Sequence, residues 1–294
     1  EEETAARLSG TEALVMLRGQ WVEVDRERME LAMRQFKEVE ALAAENGLTF
    51  SEAMRMLAGA TITDDGKESD VSDWAGVTAG PFLAKTLKAL RSPDGKDIDP
   101  GPALKGTLRP YQKAGVKWLH LLSGLRLGAC LADDMGLGKT IQVLSLLLIL
   151  ARKDKDKQPS LLVAPASLLA NWMQEIERFA PSLKALIVHP SAMTTVRMKQ
   201  LIADQFADFD LVITSYGRLL QSPALPEASW RLLVLDEAQA IKNPKAKQTK
   251  AVKSIKAKAR IALTGTPVEN HLGDLWSIFD FLNPGLLGTS RQFA

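Results

Sequence analysis

Cysteine is nearly missing from these 294 residues: Cys130 stands alone, so no internal disulfide can form, and with three scattered histidines there is no ligand spacing for zinc. A reducing compartment fits that usage. Aromatic residues are sparse at 6%, two of them tyrosines, and neither sign of charge dominates, since 37 Lys and Arg against 35 Asp and Glu leave a formal +2. That balance excludes neither nucleic acid nor any other partner, because the placement of basic residues governs attraction, not their sum. No segment reaches the ~18 consecutive apolar residues that a membrane helix needs. The acidic start, "EEET", is the reverse of the basic-then-apolar pattern of a signal peptide. An intracellular protein away from membranes is the expectation. Without an initiating methionine, and ending on "TSRQFA", the chain is also expected to be a fragment.

What is present is enough for a core. At 46% hydrophobic and 24% charged, the chain reads as globular, one large domain with a smaller one. Its character changes near residue 100. In "DRERMELAMRQFKEVEALAAEN", residues 25–46, Met29, Met33, Phe36 and Val39 recur about once per helical turn, which predicts an amphipathic helix stopped by Gly47. Thr49 and Glu52 have capping-box spacing for a second helix closed by Gly59, and a third is expected from Pro81 to about Leu90. "SPDGKDIDPGP", residues 92–102, reads as a linker. Residues 1–100 are therefore expected to form a small, mainly helical accessory segment whose Met and Phe side chains pack inward.

Beyond the linker a rhythm sets in. "GACLA" (128–132), "LLVA" (161–164), "ALIVH" (185–189), "LVIT" (211–214), "LLVLD" (232–236) and "IALT" (261–264) alternate with longer helix-like stretches. Runs apolar on both faces that end in small or polar residues predict buried parallel strands, so the fold class is α/β with helices on both faces. Ligands then collect at the carboxyl ends of the strands.

"LADDMGLGKT", Leu131 to Thr140, lies at such an end. A loop from Asp133 to Gly138 leaves a strand and enters a helix at Lys139, so free backbone N–H groups and the helix dipole converge where an anion would be welcome. Gly136 and Gly138 let the backbone approach phosphate oxygens, Lys139 can reach the β and γ phosphates, and the Thr140 hydroxyl can ligate Mg²⁺. The loop departs from the strict G-x-x-x-x-G-K-[ST] form, since Asp133 stands where the first glycine would be. An ordinary strand-to-helix turn remains the alternative at this stage. In "LLVLDEAQ", however, Asp236 and Glu237 end a buried apolar run, where two charges are costly unless a metal or a reaction uses them. Asp236 is the candidate Mg²⁺ partner, and Glu237 the candidate base that positions and deprotonates an attacking water. An N-cap acid pair would explain one of these carboxylates better than both.

These residues resemble the SWI/SNF-type DNA-dependent ATPases of helicase superfamily two, from about Leu104 to Phe293. "LRPYQKAGVKWL" (108–119) is similar to the family's adenine-recognition segment, with Gln112 as the base contact. "DDMGLGKTIQ" (133–142) resembles its phosphate loop, which assigns Asp134, Met135, Gly136, Leu137, Gly138, Lys139 and Thr140 to nucleotide binding. "LLVAPASLLANWMQEIERF" (161–179) resembles motif Ia, "VITSYG" (212–217) motif Ib, "DEAQ" (236–239) motif II and "LTGTPVENHLGDLWSIFDFLNP" (263–284) motif III with its continuation. Gln239 is a departure, since many relatives carry histidine there. "LRGQWVEVD" (17–25) more loosely resembles the region before the motor in some bacterial members.

The resemblance implies a RecA-like P-loop domain, the first of two lobes that close on Mg-ATP and step along double-stranded DNA without reading its sequence. It also implies a cytoplasmic or nucleoid-associated setting. The second lobe, with its arginine fingers, is expected outside residues 1–294. Such an arginine is worth about three to five decades of rate, so this lobe alone should hydrolyse poorly. DNA contact or coupling is implied for Pro165, Ser167, Leu168, Thr214, Ser215, Tyr216 and Asn270, and links between hydrolysis and DNA grip for Thr264 and Thr266. A turn with hydroxyl caps is the plainer account of those two threonines. Residues 240–260 carry eight basic residues and no acid. They form either a phosphate-tracking face or a solvated helix surface above a buried stripe of Ala246, Thr249, Val252 and Ile255. A strand-separating helicase and a nucleotide-responsive interaction module stay open as alternatives to the duplex translocase.

Overall fold

The computed structural model describes residues 14–17, 20–23, 37, 88, 98–153, 158–266, 272–289 and 293. The chain divides into two units, Glu1–Gly80 and Pro81–Ala294. In the first, β1 (Leu14–Leu17) pairs antiparallel with β2 (Gln20–Glu23), Val15 opposite Val22 and Met16 opposite Trp21. A hairpin thus sits in a stretch expected to be mainly helical, because four-residue strands are too short for their alternation to stand out. The helices expected over 25–46, 49–59 and 81–90 lie outside the described residues, apart from Lys37 and Lys88, each helical.

In the second unit every one of the six apolar runs forms a strand: β3 (Ala129–Leu131), β4 (Ser160–Ala164), β5 (Ala185–Val188), β6 (Leu211–Ser215), β7 (Trp230–Leu235) and β8 (Ala257–Leu263). They make one parallel sheet in the order β3-β8-β7-β4-β6-β5. The principal helices are α1 (Pro110–Gly124), α2 (Lys139–Lys153), α3 (Leu169–Phe179), α4 (Thr195–Gln200), α5 (Lys247–Ser254) and α6 (Leu272–Leu282). Along β4, Leu162 and Ala164 enter one core cluster while Leu161 and Val163 enter the other. In β7, Leu232 and Val234 divide from Leu233 and Leu235 in the same way. This explains the unbroken apolar runs: successive side chains point to opposite faces, and helices cover both. The first cluster also holds Leu144, Leu147 and Leu148 of α2, and the second Ile278 and Phe281 of α6.

Two boundaries differ from expectation. The linker ends by docking on the lobe: Arg152 donates to the Asp99 carbonyl at 3.0 Å, and Ile98 and Ala103 pack against the first cluster. Residues 240–260 are not one helical surface, since α5 is followed by the start of β8, four residues earlier than the apolar run suggested. Arg260 accordingly turns inward and donates to the carbonyls of Phe281, Lys253 and Ile255, and Lys253 pairs with Asp280 at 2.6 Å. Lys245, Lys247, Lys250, Lys256 and Lys258 remain exposed, while Thr249, Val252 and Ile255 are buried as a stripe.

Candidate nucleotide-binding site

Leu131 lies opposite Leu263, and Ala262 opposite Leu235, so β3, β8 and β7 end side by side. Adjacent strands are about 4.8 Å apart, which places the phosphate-loop strand and the acid-bearing strand about 10 Å from one another with β8 between. The loop after β3 turns through Gly136 (φ 81°) and Gly138 (φ 78°), both in the left-handed region. A Cβ on Gly138 would also meet the Gln112 amide nitrogen at 2.6 Å. Space and conformation thus both require glycine there.

The loop is held by bonds to itself and to α1. The Lys139 ammonium donates to the carbonyls of Asp133 at 2.6 Å and Asp134 at 3.2 Å. Tyr111 and Gln112 each donate to the Leu137 carbonyl at 3.0 Å. Gln112 Oε1 accepts the Arg109 N–H at 2.9 Å, which also caps α1 just before Pro110 at its first position. Asp133 receives a 2.8 Å hydrogen bond from the fully buried Gln142. Gln142 fits only because Gly115 has no Cβ, which would lie 2.0 Å from its Oε1. Asp133 therefore ties the loop to α2 at the place where the strict motif has glycine. Thr140 lies in the first turn of α2, and Met135 is exposed at the loop's tip.

The acids lie one strand further on. Asp236 is gripped from four sides: its N–H donates to the Val163 carbonyl at 2.9 Å, and its carbonyl accepts the Tyr216 hydroxyl at 2.8 Å. Its Oδ2 accepts the Trp172 indole N–H at 2.8 Å and its Oδ1 the Glu237 N–H at 3.0 Å. Burial raises its carboxyl above the usual value, opposed by the Trp172 and Glu237 donors; the Glu237 charge raises it further and the Lys139 ammonium lowers it. Lys139 and Asp236 are thus close enough to feel one another. Burial, with Asp236 and Glu237 nearby, pushes the Tyr216 hydroxyl well above its ordinary value, so it stays a donor.

Glu237 has φ 50° and ψ 57°, a left-handed conformation that costs a residue with a side chain of order 1 kcal/mol or more. The turn starts the short helix Ala238–Ile241 and brings Gln239 back alongside. Gln239 Nε2 donates to Glu237 Oε2 at 2.5 Å, and Gln239 Oε1 accepts from the buried Thr264 hydroxyl at 3.1 Å. Thr264 in turn accepts the Thr266 N–H at 3.1 Å. A continuous bridge runs from the end of β8 to Glu237.

The residues expected at DNA divide. Pro165 and Leu168 flank the exposed Ser167 at the carboxyl end of β4. Thr214, Ser215 and Tyr216 are buried, with their hydroxyls occupied inside the protein: Thr214 donates to Val188, Ser215 accepts from the Arg218 N–H, and Tyr216 serves Asp236. The polarity of those side chains belongs to the fold, and exposure resumes at Gly217. Asn270 lies outside the described residues. Sequence reasoning assigned no role to Trp172 or Gln142, although a buried indole N–H always poses the question of its acceptor.

Magnesium is commonly held by one or two protein oxygens together with substrate phosphates. Among the described residues no group of three or more His, Cys, Asp or Glu could hold a metal alone. A hydroxyl from Thr140 and a carboxylate from Asp236, each oxygen of which has accepted one protein hydrogen bond, fit that sparse mode. Among the described residues no helix is long and apolar enough to cross a membrane.

Comparison with known proteins accords with this geometry. The SNF2-related domain family matches residues 111–294, and a family described as SNF2 helicase protein matches residues 1–58. The putative ATP-dependent helicase/translocase YwqA of Bacillus subtilis is 38% identical over 307 residues, covering 100% of this chain and 32% of that protein. The TATA-binding protein-associated factor MOT1 of Saccharomyces cerevisiae is 41% identical over 203 residues, 65% of this chain and 11% of that protein. The Sulfolobus solfataricus SWI2/SNF2 ATPase core in complex with double-stranded DNA superposes with a TM-score of 0.59 at 46% identity, over 65% of this chain and 39% of that one.

Proposed function

The chain belongs to the SNF2-related family, and on that premise we propose that it is the nucleotide-binding lobe of a motor coupling Mg-ATP hydrolysis to movement along double-stranded DNA. The observation that carries this reading is the pairing, across β8, of a glycine-turned loop bearing Lys139 with the hydrogen-bonded acids Asp236 and Glu237. On nucleotide binding, Lys139 exchanges two loop carbonyls for phosphate oxygens, and the loop N–H groups at the start of α2 complete the cradle. Gln112 and Tyr111 exchange the Leu137 carbonyl for the base. Thr140 and Asp236 would hold Mg²⁺, which neutralises charge on the phosphates. Glu237, steadied through Oε2 by Gln239, orients the attacking water and accepts its proton. The Thr264–Gln239 bridge ties that base to the end of the neighbouring strand.

Duplex DNA as the track is supported by the solved relative bound to it and by the exposed Ser167 turn at a strand end, suited to phosphate without reading bases. Because the chain spans 32% of the length of its Bacillus relative and 11% of the yeast one, turnover and translocation are proposed for the intact protein. A second lobe would there supply the arginine that stabilises the transition state. The test is ATPase activity of the intact protein with no DNA, single-stranded DNA or duplex, beside a strand-separation assay. Stimulation mainly by duplex without separation is expected. Separation would select a helicase, and absence of stimulation a nucleotide-responsive interaction module.

A further inference from the structure

The two side chains that grip Asp236 from outside its own strand both belong to segments that lead to the proposed DNA face. Trp172 stands in the first turn of α3, four residues after Leu168 and directly continuous with the Pro165–Leu168 turn. Tyr216 is the first residue of the single helical turn Tyr216–Leu219, which follows β6, and the next residue in that turn, Gly217, is exposed. Both are almost fully buried, at 2% and 5% exposure, so each ring packs within the protein. An indole N–H can only donate, and its acceptor here is a carboxylate oxygen at 2.8 Å; the Tyr216 hydroxyl meets the carbonyl of the same residue, also at 2.8 Å. One bond therefore fixes the rotation of the Asp236 carboxylate and the other the path of its backbone. Interiors this closely packed do not absorb a shift at one end of a helix by deforming smoothly. A displacement of either turn would reach the acid through a rigid aromatic ring.

We propose that Trp172 and Tyr216 are positioning residues through which an occupied DNA face sets the orientation of Asp236. The assignment rests on the motor reading above. It adds a route separate from the Thr264–Gln239 bridge, which ends on Glu237.

The test uses the intact protein with Trp172→Phe and Tyr216→Phe, the second of which removes a single oxygen and leaves the ring in place. Three quantities are measured: the ratio of ATPase rates with and without duplex, duplex affinity by anisotropy, and the Mg²⁺ concentration that half-saturates binding of a fluorescent ATP analogue without turnover. Loss of a hydrogen bond to a charged group should lower the stimulation ratio roughly tenfold in Trp172→Phe, and raise the half-saturating Mg²⁺ severalfold. Tyr216→Phe should show a smaller change of the same sign, and duplex affinity should stay as in the parent. Unchanged stimulation and Mg²⁺ dependence in both variants would overturn the proposal. So would a fall in duplex affinity that accounts for the lost stimulation. A parent protein that duplex does not stimulate would bring down the motor reading and this assignment together, whereas a stimulated parent with unaffected variants defeats this assignment alone.

Discussion

The chain's two tyrosines lie on opposite halves of the site and show how differently those halves are built. Tyr111 is 40% exposed and donates to a carbonyl of the phosphate loop; Tyr216 is 5% exposed and donates to the carbonyl of Asp236. The loop half is held by contacts of its own, chiefly Lys139 on the carbonyls of Asp133 and Asp134, which nucleotide replaces under the proposed reading. The acid half is already assembled, with strand, helix and turn each contributing a bond to Asp236. The proposed function therefore asks one side of the site to exchange partners on binding and the other to keep the bonds it has. Under the proposed reading the preassembled side is the one that places the metal ligand and the base, where fixed orientation spares reorganisation during reaction.

Substitutions can break this contrast. The largest effect is expected from Glu237→Gln, which keeps the shape of the acid half but removes the proposed base: turnover of the intact protein should fall by about two to four decades. ATP affinity by calorimetry should hold, and equal turnover would remove Glu237 from its role. Lys139→Ala, on the loop half, should cost about two to three decades and be seen first as lost nucleotide binding. Gly138→Ala sharpens the point, because a Cβ there strains a φ of 78° and displaces the Gln112 amide. A loss of about 1–2 kcal/mol in denaturant unfolding, with weakened ATP binding, is expected. The tyrosines give the finest comparison. Tyr216→Phe leaves a buried carbonyl short of a donor and should cost about 1–3 kcal/mol, whereas Tyr111→Phe should cost about 0.5 kcal/mol or less, since water and Gln112 can serve Leu137. Equal losses would show that the two halves are equally open.

Much of this was legible in the residues. The six strands announced themselves because a strand covered on both faces is apolar at every position; the glycines beside Lys139 marked a candidate phosphate loop, a pattern that an ordinary strand-to-helix turn also allows. The first strand pair was hidden by its brevity. The early start of β8 was hidden by its two basic residues, Lys258 and Arg260: "AKAR" alternates, but within a basic stretch it reads equally well as a solvated helix. DNA contact or coupling at Thr214, Ser215 and Tyr216 was implied by the family resemblance, and short polar side chains at a strand end suit such a contact. Whether a hydroxyl meets solvent or a neighbouring carbonyl depends on which strand lies alongside, and here β5 and the residue after β7 supply the acceptors for Thr214 and Tyr216.

From the order of its residues alone, this protein was committed to a parallel sheet, a glycine-turned loop from strand to helix and an acid pair ending a buried strand, because burial, backbone freedom and charge cost are properties of short segments. Only the folded chain decided that β8 would lie between loop and acids, that Gln239 would bridge Thr264 to Glu237, and that Trp172 and Tyr216 would close on Asp236. Those partners are 64 and 20 residues from the acid they hold. Strand order brings them together, and strand order is settled by how whole layers pack, which no local pattern encodes.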